Sequence, residues 1–263
     1  MTPVPTDGQD EALDVPVEDE PIDEPDDESS DEPEDEPEDE PEDEPTGARR
    51  MPTDSLEARE EALAAASMAV QRGELVVLPT DTVYGIGADA FDAEAVQSLL
   101  DAKGRGRDVP VPVLVGSWRT VNGLVETLPD VAKDLIAAFW PGALTLVLRA
   151  GSGLSWDLGD TKGTVAVRMP LHPVALEVLR ETGPMAVSSA NLHGQPAAVT
   201  ADDAREQLGY KVSVYLEAGP CPDPVPSTIV DLTRETPVIL RDGAIPLEQL
   251  RSVVPGIMPA AAG

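Results

Sequence analysis

From residue 51 onward the sequence predicts an α/β fold in which helices pack on a twisted, mixed sheet. Short apolar runs rich in Val and Leu alternate with amphipathic stretches that have helical spacing. Some strand-like runs also follow one another directly, as residues 144–149 and 164–168 do. Parallel strands require crossover helices, whereas consecutive strands pair antiparallel, so both kinds of pairing are expected in one sheet.

The charge of the chain divides it into two parts. Of the formal charge of −32 on 263 residues, residues 1–50 carry 23 Asp and Glu against 2 Arg. The DEPE repeats within residues 31–45 contain almost no large apolar side chains, so they bury too little surface to offset the entropy lost on ordering. We therefore predict a disordered acidic tail over residues 1–50 and one folded domain over residues 51–263.

Composition also excludes several classes of protein. Cys221 is the single cysteine, which excludes an intramolecular disulfide and a cysteine-based metal cluster and suits a cytoplasmic location. No apolar run approaches the roughly 20 residues of a membrane span, so no membrane partner is expected. Aromatic residues make up 3% of the chain, which disfavours nucleic-acid recognition by rows of stacked bases.

The first predicted helix begins at Asp54, which can cap it together with Glu57 three residues later. The Ala-rich run that follows ends at Gly73, a residue type that commonly terminates helices. A seven-residue spacing marks the expected buried stripe of this helix, which is Leu56, Leu63 and Val70.

The stretch from residue 75 to residue 105 carries the densest set of candidate functional groups. A strand at residues 75–78 is followed by a polar turn at residues 80–82 and a predicted glycine bend at Gly85 and Gly87. A helix at residues 93–102 then leads to a basic loop that contains Lys103, Arg105 and Arg107. Glycines let backbone amides approach a ligand, and the cations supply the charge that an anionic ligand requires.

The other elements follow from alternation, helical spacing and the placement of Pro and Gly. Pro-Gly at residues 141–142 and Gly-Pro at residues 183–184 end two of the helices. Further strands are predicted at residues 109–117, 144–149, 164–168, 185–187, 212–216, 228–232 and 238–240, and further helices at residues 130–140, 173–181, 200–208 and 247–253.

Two common kinds of site are disfavoured by the residues. Gly85, Gly87 and Ala90 have the spacing of a dinucleotide fingerprint, but a proline and a polar turn separate them from the preceding strand. His172 and His193 are the only histidines, and neither a GxSxG elbow nor an evident orienting Asp accompanies them. A hydrolase triad and a histidine-based metal site are therefore not expected.

Hydroxyl, amide and cationic side chains recur where the predicted strands end. In an open α/β sheet, ligands collect at such places, so several distant segments are expected to build one pocket for an anion. The groups concerned are Thr164, Arg168, Ser188, Ser189, Asn191, Ser227, Thr228 and Arg241.

Several segments together resemble the YrdC/TsaC family of L-threonylcarbamoyladenylate synthases. In chain order they are PTDTVYGIG, KGR, FWPGALTLVL, TVAVRMP, SANLHG, STIVDL and ILRDG. The resemblance covers residues 55–245 and none of the acidic tail. It implies a YrdC-like fold around a concave, basic cavity, and the synthesis of L-threonylcarbamoyladenylate from L-threonine, bicarbonate or CO2 and ATP, with release of pyrophosphate.

The resemblance also implies partners and cofactors. ATP would enter as a substrate accompanied by Mg²⁺, and no metal ligand is expected from the protein. The product would pass to a tRNA threonylcarbamoyl transferase complex of the TsaD/TsaB/TsaE kind, which forms N6-threonylcarbamoyladenosine at position 37 of tRNA. A weak contact with RNA is a further expectation.

Roles for individual residues follow from the same motifs. Lys103 and Arg105 would face the ATP phosphates and act as the catalytic cations. The ATP site would be completed by Thr164, Ser189, Asn191 and Arg241. The resemblance implies that the threonine pocket consists of Thr82, Tyr84, Arg168 and Val187, with Arg168 paired to the carboxylate of the amino acid.

Two other functions remain open from the sequence. A concave cationic face could accept the phosphate backbone of double-stranded RNA, in which case the domain would be a binding module or a ribosome-assembly factor. The domain could also transfer a carbamoyl group, as the YrdC portion of hydrogenase-maturation proteins does. Threonine- and bicarbonate-dependent release of pyrophosphate without RNA distinguishes the synthase from the binding module.

Overall fold

The computed structural model describes residues 47–260, so most of the predicted acidic tail, residues 1–46, lies outside the described residues. The sheet begins at Arg49, ahead of the predicted domain boundary at residue 51. The helices are α1 (Leu56–Gln71), α2 (Ala93–Lys103), α3 (Asp130–Phe139), α4 (Pro173–Thr182), α5 (Ala201–Leu208) and α6 (Leu247–Val253). The strands are β1 (Arg49–Pro52), β2 (Val76–Leu78), β3 (Gly85–Asp89), β4 (Val113–Leu114), β5 (Leu144–Arg149), β6 (Thr164–Arg168), β7 (Met185–Ser189), β8 (Val214–Glu217), β9 (Thr228–Asp231) and β10 (Val238–Arg241).

All ten of these strands form one sheet, in the order β1-β8-β2-β3-β7-β4-β6-β5-β9-β10. Four neighbouring pairs are parallel: β1 with β8, β2 with β8, β4 with β6, and β5 with β9. The remaining five pairs are antiparallel. The predicted α/β class with a mixed sheet is therefore confirmed.

Helices cover both faces of this sheet. On β2, Val76 and Leu78 pack into one core cluster with α1 and α4, whereas Val77 packs into the other. The second cluster also contains the buried faces of α2, α3, α5 and α6. Successive side chains of a strand point to opposite faces, so a strand covered on both sides is apolar throughout, as β2 is. Within residues 47–260 no helix combines the length and the apolarity needed to cross a bilayer.

Helix α2 agrees with its sequence pattern and places the basic loop. Asp92 caps it by accepting hydrogen bonds from the backbone N–H groups of Glu94 and Ala95. Its buried face contains Leu99 and Leu100, as the spacing predicts. Gly104 ends the helix in the left-handed region with φ of 62°, which turns the chain toward Arg105.

The predicted start of α1 is wrong, and its predicted buried stripe is correct only in part, because Val70 is buried and Leu63 is partly buried but Leu56 is exposed. Ser55, not Asp54, caps this helix, and its Oγ accepts a hydrogen bond from Ala58 N at 3.1 Å. Leu56 is 76% exposed because it lies in the first turn, before the helix meets α4 and the sheet. Small side chains let the helix approach closely, and the buried residues are Ala62, Ala66, Ala69 and Val70.

The predicted glycine bend at Gly85 and Gly87 is also wrong, because both residues lie in β3 between β2 and β7. A Cβ added at Gly85 would lie 2.7 Å from Val187 Cγ1, and one at Gly87 would lie 2.9 Å from Met185 Cε. These glycines therefore make room for side chains of β7 rather than for a turn.

The strand predicted at residues 109–117 is limited to Val113–Leu114. Pro110 and Pro112 have no backbone N–H, so the segment before β4 cannot take part in a regular ladder.

We expect Leu99→Ala to lower the free energy of unfolding by about 2–5 kcal/mol, since Leu99 is fully buried between α2 and the sheet. Leu56→Ala is the matched control, a helical leucine that is mostly exposed, and its loss should stay below about 0.5 kcal/mol. Urea unfolding of both variants measures the two values. Equal losses in the two variants would contradict the burial of Leu99 and the exposure of Leu56.

Candidate functional site

A cavity of about 510 Å³ lies where the loop after β2, the loop after α2 and strands from the middle of the sheet meet. Eight of the ten predicted site residues line it. They are Thr82, Tyr84, Arg105, Thr164, Arg168, Val187, Ser189 and Arg241. Lys103 and Asn191 are not among the lining residues.

The cavity is strongly cationic. Arg105, Arg168 and Arg241 all line it, and no Asp or Glu within residues 47–260 does so. Burial lowers the pKa of Arg241, and the charges of Arg168 and Arg105 lower it further. The three guanidinium groups thus contribute positive charge to one cavity. The arrangement therefore favours an anion with several negative charges.

Arg168 is held by three hydrogen bonds and is only 6% exposed. Its Nε donates to Gly142 O at 2.9 Å, its Nη1 to Thr82 Oγ1 at 3.0 Å and its Nη2 to Asp81 Oδ1 at 2.6 Å. Burial lowers the pKa of Arg168, and the Asp81 carboxylate opposes that shift. The guanidinium is thus fixed before any ligand arrives.

The apolar part of the threonine pocket predicted from the sequence is formed by a ring and an aliphatic side chain. The hydroxyl of Tyr84 donates to Gly219 O at 2.7 Å and accepts from Ala218 N at 3.1 Å, so its polar atom is already bonded to backbone. Burial raises the pKa of Tyr84 to about 12. Val187 lines the cavity beside Gly85, where a larger residue would displace it.

The other two arginines are anchored by neutral groups. Arg105 donates to Ser188 Oγ at 3.0 Å and to Pro110 O at 3.2 Å. Arg241 donates twice to the carbonyl of Ser227, at 3.1 and 2.7 Å, and also to Ser227 Oγ at 2.9 Å. Neither of these contacts neutralises a guanidinium, so both retain their charge for a ligand.

Lys103 does not line the cavity but forms hydrogen bonds with the backbone of a segment that does. Its Nζ donates to Ser189 O at 2.5 Å and to Asn191 O at 2.6 Å. Asn191 in turn donates from Nδ2 to Leu192 O and Gln195 O. The structure thus places Lys103 against the backbone of the segment that carries Ser189, and direct contact of Lys103 or Asn191 with a ligand stays a prediction.

Thr164 begins β6, and the loop that precedes it contacts the basic loop and the turn before α2. Thr164 Oγ1 donates to Thr161 O at 2.7 Å, and both residues line the cavity. Arg107 forms an ion pair with Asp157 in the loop between β5 and β6. Phe91 and Trp156 stack with ring centroids 5.6 Å apart, the Trp coming from that same loop.

Sequence reasoning missed Asp81 and Thr80, although both lie inside the PTDTVYGIG segment. The available signal was their position directly after an apolar strand, where ligands collect in an open α/β sheet. It also missed Thr145, the second residue of β5, whose Oγ1 lies 2.8 Å from Ser227 Oγ. A hydroxyl within an apolar strand gives little signal before the strand order is known.

Comparison with known proteins identifies a family model that matches residues 68–243 of this chain. The model is that of the Sua5/YciO/YrdC family, and its description is "telomere recombination".

Among curated relatives, the putative threonylcarbamoyl-AMP synthase of Mycobacterium leprae is 61% identical over 203 residues, which are 77% of this chain and 92% of that protein. The threonylcarbamoyl-AMP synthase of Bacillus subtilis is 38% identical over 204 residues, which are 77% of this chain and 59% of that protein.

Among solved structures, Pyrococcus abyssi Sua5 complexed with L-threonine superposes with a TM-score of 0.75 at 35% identity. The match covers 81% of this chain and 62% of that one, so this chain spans less than two thirds of the archaeal protein. Escherichia coli YciO has a TM-score of 0.69 at 22% identity, with 78% of this chain and 99% of that one covered, and shares the fold.

If Arg241 binds the nucleotide as the sequence predicts, Arg241→Gln should raise the dissociation constant for ATP at least about tenfold, because a charged hydrogen-bond donor is removed from the cavity. Arg180→Gln changes an exposed arginine on α4 and should leave the constant unchanged. Isothermal titration calorimetry measures both. An unchanged dissociation constant for ATP in Arg241→Gln would show that this guanidinium does not bind the nucleotide.

The buried ammonium of Lys103 predicts a pH-dependent stability. Burial, with the charge of Arg105, lowers the pKa of Lys103 from 10.5 to about 8. Between these values the unfolded chain keeps a proton that the folded protein has lost, so the free energy of unfolding rises with pH.

Lys103→Met keeps the length of the side chain and removes this proton. From about pH 7.5 to about pH 9.5, the stability of the unaltered protein relative to this variant should rise by about 2 kcal/mol. Urea unfolding at the two pH values measures the difference, and a constant difference would show that the ammonium keeps its ordinary pKa.

Proposed function

We propose that this chain, which belongs to the Sua5/YciO/YrdC family, makes L-threonylcarbamoyladenylate from L-threonine, bicarbonate or CO2 and ATP, with release of pyrophosphate. The product serves the formation of N6-threonylcarbamoyladenosine at position 37 of tRNA. The observation that carries the proposal is the convergence of Arg105, Arg168 and Arg241 on one cavity whose described lining has no carboxylate. Such a cavity suits a triphosphate beside an amino-acid carboxylate.

The amino acid is assigned to the part of the cavity around Arg168. A guanidinium has five N–H groups, and three of those on Arg168 are used by Gly142, Thr82 and Asp81. One N–H therefore remains on each terminal nitrogen for the carboxylate of threonine. The Tyr84 ring and Val187 offer apolar surface for its methyl group.

The nucleotide is assigned to the part around Arg105 and Arg241. Ser189 adds a hydroxyl donor for phosphate oxygens, whereas the proton of Thr164 is used by Thr161 O, so Thr164 offers the nucleotide an acceptor, for example for a ribose hydroxyl. Lys103 contributes positive charge next to Ser189 and fixes the backbone there through its two carbonyl contacts. Apolar lining residues of β5, β9 and β10 supply a surface for the base, and they are Val147, Ile229 and Leu240.

In this reaction the protein has to align the carbamate with the α-phosphorus of ATP and to neutralise charge on the phosphates. The amine of threonine adds to CO2 and loses a proton to solvent, which gives a carbamate. A carbamate oxygen forms a bond to the α-phosphorus while the bond to pyrophosphate breaks. Arg105 and Arg241 offset the charge on the phosphates, and Arg168 fixes the amino acid for in-line attack. No side chain of this chain acts as a nucleophile in this scheme.

Magnesium fits the scheme as part of the substrate. The described lining offers hydroxyls but no carboxylate, and Mg²⁺ in proteins is usually bound through one or two carboxylates or through substrate phosphates. We therefore assign Mg²⁺ to the phosphates of ATP, where it would neutralise charge, rather than to side chains of this chain.

The downstream steps follow from the chemistry of the product. A mixed anhydride of this kind is an activated donor, so a TsaD/TsaB/TsaE-like complex is proposed to transfer its threonylcarbamoyl group to tRNA. A weak RNA contact and a cytoplasmic location remain expectations from the sequence. A concave cavity of about 510 Å³ has the size of a small-molecule site, which favours small substrates over a nucleic-acid backbone.

The test is to incubate the purified protein with L-threonine, bicarbonate and ATP, measure pyrophosphate, and detect the adenylate by mass spectrometry. Arg105→Ala should lower kcat/KM for ATP by about a hundredfold or more, since a preorganised charge is lost from the transition state. Arg180→Ala is the matched control and should react at the rate of the unaltered protein.

Three results would contradict the proposal: pyrophosphate release without threonine, equal activity with carbamoyl phosphate in place of bicarbonate, and a parental rate in Arg105→Ala. The circular dichroism spectrum of Arg105→Ala shows whether that variant is folded.

A further inference from the structure

The turn between β2 and β3 contains two buried threonines in hydrogen-bond contact. Thr80 is 4% exposed and Thr82 is 2% exposed, and their Oγ1 atoms lie 3.0 Å apart. Both line the cavity on the side where Arg168 lies. The contact distance alone leaves the donor undefined, but the surrounding bonds determine it.

The single hydroxyl proton of Thr80 is already committed. Thr80 Oγ1 lies 2.7 Å from Val83 O, and a carbonyl can only accept. Thr80 Oγ1 also accepts from Thr82 N at 3.1 Å. The hydrogen bond between the two hydroxyls must therefore be donated by Thr82. Thr80 then makes one donor and two acceptor bonds, which is the full capacity of a hydroxyl.

These bonds fix the direction of the Thr82 hydroxyl proton. Its proton points to Thr80, and one lone pair of Thr82 Oγ1 accepts from Arg168 Nη1 at 3.0 Å. A single lone pair remains for a ligand. Thr82 can therefore accept a hydrogen bond in the cavity, and it has no proton left to donate.

We propose that Thr80 is a positioning residue that makes Thr82 an acceptor only, so that Thr82 binds an N–H or O–H group of the amino-acid substrate and not its carboxylate. The inference rests on the proposed function. It separates two tasks in the pocket, because Arg168 takes the carboxylate while Thr82 takes the amine or the hydroxyl. A hydroxyl free to rotate would bind either end of the amino acid and would fix its orientation less well.

The decisive experiment is a double-mutant cycle on binding of L-threonine, measured by calorimetry with the full chain. Thr80→Val and Thr82→Val should each raise the dissociation constant about tenfold, as expected for one hydrogen bond. Because Thr80 acts through Thr82, the double variant should bind like Thr82→Val alone. Thr80→Ser keeps the hydroxyl and should stay within about twofold of the unaltered protein.

A variant remote from the cavity controls for the loss of a threonine hydroxyl in general. Thr182 lies at the end of α4 and donates to Val178 O at 3.0 Å. Thr182→Val should leave the dissociation constant for L-threonine unchanged. In Thr80→Val, the KM for L-threonine should rise about tenfold while the KM for ATP stays within about twofold, which a general loss of structure would not produce.

Additive effects in the cycle, failure of Thr80→Ser to restore binding, or an equal rise in both KM values would overturn the inference and leave the proposed function intact. If the unaltered protein binds no L-threonine, the proposed function fails and this inference fails with it. Should Thr80→Val lose its cooperative unfolding transition, Thr80→Ala replaces it in the cycle, with the same expected values.

Discussion

Three guanidinium groups held close together without a carboxylate in the described cavity wall are the constraint on which the rest of the site depends. Like charges in a partly buried volume repel one another: burial lowers the pKa of Arg241, and the charges of Arg168 and Arg105 lower it further. Carbonyls and hydroxyls hold the groups in place, and the one carboxylate involved, Asp81, lies behind Arg168. The apolar clusters on both faces of the sheet supply the stability that such a cavity costs.

The sheet order explains how distant segments meet at this place. β3, β7, β4, β6, β5 and β9 are successive neighbours in the sheet, although they are widely separated in the chain. Each contributes lining residues, and β10 adds Arg241 at the edge. A pocket built in this way is rigid because the strands are hydrogen-bonded to one another. It suits chemistry that depends on alignment more than on a reactive side chain.

Much of this architecture could be predicted from the sequence, because local patterns carry it. The spacing in α2, the bounds of α6 and the alternation in β5 and β6 agree with the structure. Predictions failed where a distant contact decides the outcome. Gly85 lies in a strand, where the absence of a side chain leaves room for Val187 of the neighbouring strand. Leu56 is exposed because α1 meets its neighbours only further along.

The candidate site, like the fold, could be predicted from the sequence only in part. Eight predicted residues line the cavity: hydroxyls and cations at strand ends are visible in the sequence, whereas the places of Thr82, Tyr84 and Val187 follow only from the family resemblance. The direction of a flexible side chain is not visible there, so the turn of Lys103 toward the carbonyls of Ser189 and Asn191 could not be foreseen. The pairing of Asp81 with Arg168 spans 87 positions and depends on strand order, which single-sequence patterns do not provide.

Strand β1 has a consequence for any shortened form of the protein. It covers β8 at the edge of the sheet, and the opposite side of β8 is paired with β2. Proteolytic trimming beyond Pro52 would leave the N–H and C=O groups of Val214–Glu217 open along that side. β1 is already an edge strand, but its Arg49, Arg50 and Pro52 disfavour pairing with other chains, whereas the more apolar edge of β8 would recruit strands from other molecules and promote aggregation. Removal of the acidic repeats must therefore stop before Ala48 if the remaining domain is to stay dispersed.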